Sequence, residues 1–191
     1  HDIRSPIAAA KGALELLEPT LEGLDADQLH LLGVARRAAG TVVHLLGNLL
    51  SAALLDTEDD DVPAPIVDVA LIAREVIDQM SVQARHKGLL LRLETDAAKT
   101  TVRGDLMWIR QVISNLVNNA LKFTPKGGHV DVRVGREDDE VTLSVEDDGV
   151  GIPPDKIDRV FERLTRIRPR GTAGERGTGI GLYVTRQLVA R

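Results

Sequence analysis

Apolar positions along the chain follow two different periods, and the change between them divides it. From Ile3 to Leu55 every run is helical. Ile3, Ile7, Ala10, Leu14 and Leu17 alternate steps of four and three until Pro19, Thr20 and Gly23 interrupt them. Asp25 and Gln28 have the spacing of a capping box, with the Asp carboxylate accepting an orphan backbone N–H of a second helix. That helix carries Leu32, Ala35, Ala39, Val42, Leu46, Leu49 and Ala53 on one stripe. Two narrow stripes joined by a short loop predict an antiparallel helical hairpin. One hairpin has little core, so a second copy is expected to complete a four-helix bundle. Gly33, Gly40 and Gly47 lie seven apart on the second helix, where each costs up to about 1 kcal/mol relative to Ala.

Clustered acids from Asp56 to Asp61, then Pro63 and Pro65, predict a solvated linker over 56–65. Beyond it the pattern mixes periods. Helices are expected at Val69–Lys87, Asp105–Lys122 and Thr178–Ala190. Strands are expected at Leu89–Glu94 and Thr101–Arg103, and alternating runs at Val130–Val134 and Val141–Val145, joined by an acidic turn, predict a hairpin. Helices and strands that do not strictly alternate imply an α+β sandwich with helices on one face of a mixed sheet.

Composition narrows the function. Cysteine is absent, which excludes disulfides, thiolate metal sites and a cysteine nucleophile. A net charge of −5 and four aromatic residues (Trp108, Phe123, Phe161, Tyr183) argue against nucleic-acid binding and against attraction to an anionic membrane. No apolar run reaches the roughly 20 residues of a membrane span.

Four clusters carry candidate chemistry. In His1-Asp2-Ile3-Arg4-Ser5-Pro6-Ile7, His1 and Ser5 share a helix face, and Pro6 cannot donate to the Asp2 carbonyl. An imidazole with an ordinary pKa of about 6.5 is largely neutral at pH 7 and can act as a nucleophile. Asn115, Asn119 and Lys122 lie at i, i+4 and i+7, and amides with an ammonium suit a hydrated Mg²⁺ and the phosphates it bridges. Asp147-Asp148-Gly149-Val150-Gly151 follows a strand. Its glycines let the backbone approach a planar ligand, and a carboxylate there can accept from an exocyclic amine. Gly177-Thr178-Gly179-Ile180-Gly181 opens the last helix, where free N–H groups favour phosphate. Its spacing is not that of the dinucleotide fingerprint, and no P-loop occurs. Between the last two clusters, residues 159–176 hold six arginines against two glutamates, a basic segment suited to lie over phosphates.

In this order the clusters resemble the H, N, G1 and G2 boxes of the sensor histidine kinases of two-component signalling, with Phe161-Glu162 and Arg166 similar to the F box. The resemblance implies a dimerisation and histidine-phosphotransfer hairpin at 1–55, a linker at 56–65, and a Bergerat-type ATP-binding domain at 66–191. Both ends are expected to be incomplete relative to the family: the hairpin lacks the helix segment before His1, and the ATP domain lacks its last strands. By the same match His1 is the phosphoacceptor, Asp2 its acid–base partner, and Ser5 stands at the position that helps remove phosphate from the response regulator. Asn119 would hold Mg²⁺ with Asn115 nearby, and Lys122 and Phe123 would line ATP. Asp147 would bind the adenine amine, with Gly149 and Gly151 shaping the pocket. Gly177, Gly179 and Gly181 would wrap the phosphates, and Arg166 is the basic lid residue.

The implied partners are a second copy of the chain and a receiver domain of a response regulator. A cytoplasmic setting is implied, with membrane attachment only through segments outside this chain. Leu164 stands where the F box commonly has a second aromatic, and Ser5 where Thr or Asn is commoner. Two alternatives remain. An ATPase of the same nucleotide fold would need a Glu base where Asn115 stands, and an amide cannot abstract a proton from water. An inactive dimeric scaffold is opposed by the presence of Asn119, Lys122, Asp147 and the three glycines.

Overall fold

The computed structural model describes residues 23, 25, 28, 31–35, 40, 42, 64–96, 99–163, 165, 167, 170–175, 177 and 179–191. The chain divides into two compact units, His1–Leu54 and Leu55–Arg191. In the first, residues 31–35 are helical, and the capping box forms as its spacing predicts. The Gln28 amide donates to Asp25 Oδ1 at 2.8 Å and the Asp25 amide to Gln28 Oε1 at 3.1 Å. The expected pairing of two hairpins lies outside the described residues.

The second unit is α+β. Its described elements are β1 (Ile66–Asp68), α1 (Val69–Lys87), β2 (Leu90–Thr95), β3 (Thr101–Arg103), α2 (Leu106–Phe123), β4 (His129–Glu137), β5 (Glu140–Asp147), a 3₁₀ turn (Pro154–Arg159) and α3 (Gly181–Val189). β1 pairs antiparallel with β3. β2 runs parallel to β4, and β4 antiparallel to β5, so the main sheet is mixed, in the order β2-β4-β5.

Local chemistry sets the helix limits. The Asp68 carboxylate accepts from the Ala70 and Leu71 amides at the start of α1, and Gly88, at φ 72°, ends it in the left-handed conformation that glycine adopts without strain. Asp105 caps α2 in the same way, accepting from Met107 and Trp108. β1 and the 3₁₀ turn were not among the expected elements. Three residues are too few for alternation to register, and β1 exists because β3 lies beside it. α3 begins at Gly181, three residues later than expected, because the glycines before it disfavour helix.

The sheet register sorts side chains by face. Leu91, Val130 and Asp147 lie in one row, and Leu93, Val132 and Val145 in the next, all on the side that α1 and α2 cover. Val130, Val132 and Val134 meet Ile72, Ala73 and Val76 of α1 and Ile113, Val117 and Leu121 of α2 in one buried core. Each such aliphatic side chain contributes about 1.5–3 kcal/mol by burial. The opposite face is polar. There Arg133 bridges Glu94 at 3.0 Å and Glu146 at 2.9 Å, exposed pairs that add little stability. The register therefore leaves Asp147 at the end of β5 on the helix side, beside the C-terminus of α2.

Candidate functional site

The site grows from that C-terminus. The last carbonyls of a helix have no partner within it, and an end that is not exposed must find partners elsewhere. In α2 the first is closed by the capping residue Thr124, and the next three attach other segments. The Ala120 carbonyl accepts from the Thr124 amide at 3.0 Å and its hydroxyl at 2.7 Å. The Leu121 and Lys122 carbonyls accept from Lys87 Nζ at 2.6 and 2.9 Å. The Lys122 carbonyl also accepts from the Thr172 amide at 3.0 Å, and the Phe123 carbonyl from the Val150 amide at 3.2 Å. One helix end thus holds the turn after β5 and the segment before α3.

Glycine is required at two of the points where these segments meet, Gly149 and Gly171. A Cβ on Gly149 would lie 2.8 Å from the Phe123 carbonyl oxygen, so the turn after β5 can sit against α2 only without a side chain. A Cβ on Gly171 would lie 2.5 Å from Lys122 Cγ and 2.7 Å from its carbonyl oxygen. A Cβ on Gly177 would lie 2.5 Å from Lys122 Nζ. The Lys122 ammonium is therefore beside Gly177, and it also lies 4.6 Å from the centre of the Phe123 ring, where the ring face favours a cation.

Asp147 Oδ1 accepts from the Gly149 amide at 3.0 Å, a local turn bond on an exposed carboxylate. Asp148 is engaged elsewhere: Oδ1 accepts from the His129 amide and Oδ2 lies 2.8 Å from His129 Nδ1, which ties the turn to the start of β4. Gly151 and Gly179 have positive φ, 62° and 72°.

Asn115 sits about two turns behind this end and faces inward. It is 1% exposed. Its Nδ2 donates to the Gly181 carbonyl at 3.1 Å and to Thr185 Oγ1 at 3.3 Å, while Oδ1 accepts from Gln111 Nε2 at 3.1 Å. Asn115 thus joins α2 to α3, and what it can still offer a cation is the second lone pair of Oδ1. Asn119, half-buried, lies a turn nearer to Lys122. His1, Asp2, Ser5 and Arg166 lie outside the described residues.

Sequence reading passed over four residues of this assembly: Gly171, Thr172, Glu175 and Lys87. Thr172 Oγ1 donates to the Thr124 carbonyl at 2.8 Å, and Glu175 Oε1 pairs with Lys87 Nζ at 3.0 Å. Burial pushes the Glu175 carboxyl up, but hydrogen bonds from backbone amides and from Lys87 outweigh it and hold the group below its ordinary value. Nothing local marks these four, although a glycine and a threonine shortly before a glycine-rich motif are consistent with a tight attachment.

An ammonium over an aromatic ring, glycine backbone on two sides and a carboxylate at a strand end suit a nucleotide that has an aromatic base and phosphates. Chemically, the half-buried amide of Asn119 offers a neutral oxygen ligand of the kind that suits a hydrated Mg²⁺. This is the construction of an α+β nucleotide-binding module. Residues 104–191 match the family described as histidine kinase-, DNA gyrase B- and HSP90-like ATPase, and residues 1–58 match the His Kinase A (phospho-acceptor) domain. The chain belongs to the sensor histidine kinases, with both of their modules in order.

Among curated relatives, the phosphate regulon sensor protein PhoR of Pseudomonas aeruginosa is 32% identical over 192 residues, covering 100% of this chain and 43% of that protein. Sporulation kinase A of Bacillus subtilis is 30% identical over 189 residues, covering 99% of this chain and 29% of that protein. The chain spans less than half the length of these two relatives. The crystal structure of full-length ShkA in complex with AMPPNP matches with a TM-score of 0.67 at 29% identity, covering 100% of this chain and 39% of that one. Among the described residues no helix is long and apolar enough to cross a membrane.

Proposed function

We propose that this chain is the catalytic part of a protein-histidine kinase, which transfers the γ-phosphoryl of ATP to His1 and from there to an aspartate of a response-regulator receiver domain. The observation that carries the reading is the attachment of the turn after β5 and of the 171–177 segment to the end of α2, in a chain of this family. Lys122 and Phe123 would line the nucleotide, with Asp147 accepting from the adenine amine and Gly149 and Gly151 giving the base room. Gly177, Gly179 and Gly181 would present backbone to the phosphates, and Arg166 would add charge from the basic segment. Asn119 would hold Mg²⁺, with Asn115 behind it as a brace. When bound, Mg²⁺ neutralises charge on the phosphate oxygens.

The reaction asks little covalent chemistry of the protein. A lone pair of the neutral His1 imidazole forms the N–P bond as the bond from phosphorus to the β–γ bridging oxygen breaks, and ADP leaves with that electron pair. The remaining ring N–H gives up its proton to Asp2. Positioning and charge neutralisation supply most of the rate. Residues 1–55 would form the dimerising and phosphoaccepting hairpin, 56–65 the linker, and 66–191 the ATP domain. Ser5 would act in the return of phosphate from the regulator.

The test is incubation with γ-labelled Mg-ATP beside a His1→Gln variant. Label on the protein that is stable to base, labile to acid and missing from the variant is the expected result. ATP binding without label would replace the kinase with an inactive scaffold, and equal phosphate release by both forms would replace it with an ATPase.

A further inference from the structure

Lys87 is the last residue of α1, where a lysine ordinarily extends into water and interacts with the helix dipole. Here its side chain is 13% exposed, and its ammonium has three acceptors: the Leu121 and Lys122 carbonyls and Glu175 Oε1. Ordering a lysine costs rotamer freedom. The arrangement persists because one ammonium serves two ends at once. It satisfies the orphan carbonyls of α2 directly before Phe123, and it pairs with the carboxylate that shapes the 171–175 turn. Within that turn the Gly171 amide donates to the Glu175 carbonyl at 2.7 Å, and the Ala173 amide to Glu175 Oε2 at 2.9 Å. Thr172 then fastens the turn to the Lys122 carbonyl.

We infer that Lys87 is a positioning residue for nucleotide binding, holding the 171–175 turn and the Lys122–Phe123 end of α2 in one register through Glu175 and the two carbonyls. The inference rests on the nucleotide-site reading proposed above. Lys87 does not reach ATP; it acts through the backbone that does.

A charge swap tests this geometry, because only a cationic donor can serve carbonyls and carboxylate together. Exchanging the two residues, Lys87→Glu with Glu175→Lys, is expected not to restore binding, whereas Lys87→Arg restores most of it. The primary experiment compares the wild-type chain with Lys87→Met, reading the dissociation constant of a fluorescent ATP analogue with Mg²⁺ and the hydrogen exchange of backbone amides. Lys87→Met is expected to weaken binding about tenfold, the effect of losing one charged hydrogen-bond anchor. Exchange at Gly171–Glu175 is expected to accelerate while Val130–Val134 keep their protection. In the autokinase assay the KM for ATP is expected to rise with little change in kcat.

Unchanged binding and unchanged exchange at Gly171–Glu175 overturn the inference and leave the nucleotide site standing. Should Lys87→Met also lose protection in the sheet, Glu175→Gln decides, since it leaves the carbonyl bonds of Lys87 in place. About threefold weaker binding with faster exchange in the turn supports the anchor, and wild-type behaviour refutes it. A wild-type chain that binds no nucleotide overturns both the site and this inference.

Discussion

Asn115→Asp separates two roles that the sequence alone leaves mixed. In the structure the Asn115 amide nitrogen donates to the Gly181 carbonyl and to Thr185, and the residue is 1% exposed. Replacing that nitrogen with oxygen sets an acceptor against the Gly181 carbonyl, while the Thr185 hydroxyl can turn and donate to the new oxygen. One lost hydrogen bond amounts to about 1 kcal/mol. A buried carboxylate left without a cation raises the total to about 4 kcal/mol, within the range for uncompensated buried charge. For a unit of this size, about 3–5 °C per kcal/mol gives a fall in Tm of about 12–20 °C.

The assay is thermal unfolding of the chain without nucleotide, repeated across pH. Burial raises the folded-state pKa of the introduced carboxyl. The penalty is therefore present above that pKa and shrinks as pH falls through it, because the protonated acid can again donate to Gly181. Asn115→Ala gives the control, a loss of about 2–3 kcal/mol with no such pH dependence. If Asn115 instead faces the metal ion, Asp supplies a better ligand. Wild-type Tm together with tighter Mg-nucleotide binding in Asn115→Asp would refute the bracing role.

Three further outcomes are expected. Gly149→Ala places a Cβ against the Phe123 carbonyl at 2.8 Å, so the turn after β5 must shift; nucleotide affinity should fall about tenfold, with the circular dichroism of the domain kept. Val132→Ala empties a fully buried position between the helices and the sheet and should cost about 2 kcal/mol in urea unfolding, with an unchanged m value. Asp68 is held below its ordinary pKa by the Thr100 hydroxyl first and by the Leu71 and Ala70 amides, against an opposing push from burial, and Glu175 is also held low. Depressed carboxyls contribute stability above their unfolded pKa and lose it as pH falls through the folded one. Tm should therefore drop at acid pH below the ordinary carboxylate range, and Asp68→Asn should flatten that limb.

Elements whose limits are written in local chemistry were legible. α1 spans Val69–Lys87 in both sequence and structure because Asp68 caps one end and Gly88 the other. The β4–β5 hairpin was legible from its alternation, although both strands run longer than the valine runs alone suggest. The capping box at Asp25 was equally local. What the sequence hid are positions whose meaning depends on a distant partner. β1 is a strand only because β3 pairs with it, and Lys87 is indistinguishable in sequence from any solvated lysine at a helix end.

Asn115 illustrates the limit best. Its spacing from Asn119 and Lys122 puts all three near one helix face, and periodicity treats them alike. α3 meets the first of them, which makes Asn115 part of a helix–helix contact, while Lys122 lies against Gly171 and Gly177. α2 is thereby divided along its length: its middle is fixed to α3 by a buried amide, while its C-terminal carbonyls hold the turn and the segment from which the proposed site is built. Because Gly181 begins α3 and its carbonyl accepts from Asn115, the glycine motif is tied to α2 at its far end as Thr172 ties the chain before it. Two attachments to one helix stand on either side of Gly177 and Gly179, and under the proposed function they would limit how far that backbone moves when phosphate binds. Loosening either should therefore weaken nucleotide binding without touching a residue that contacts the nucleotide.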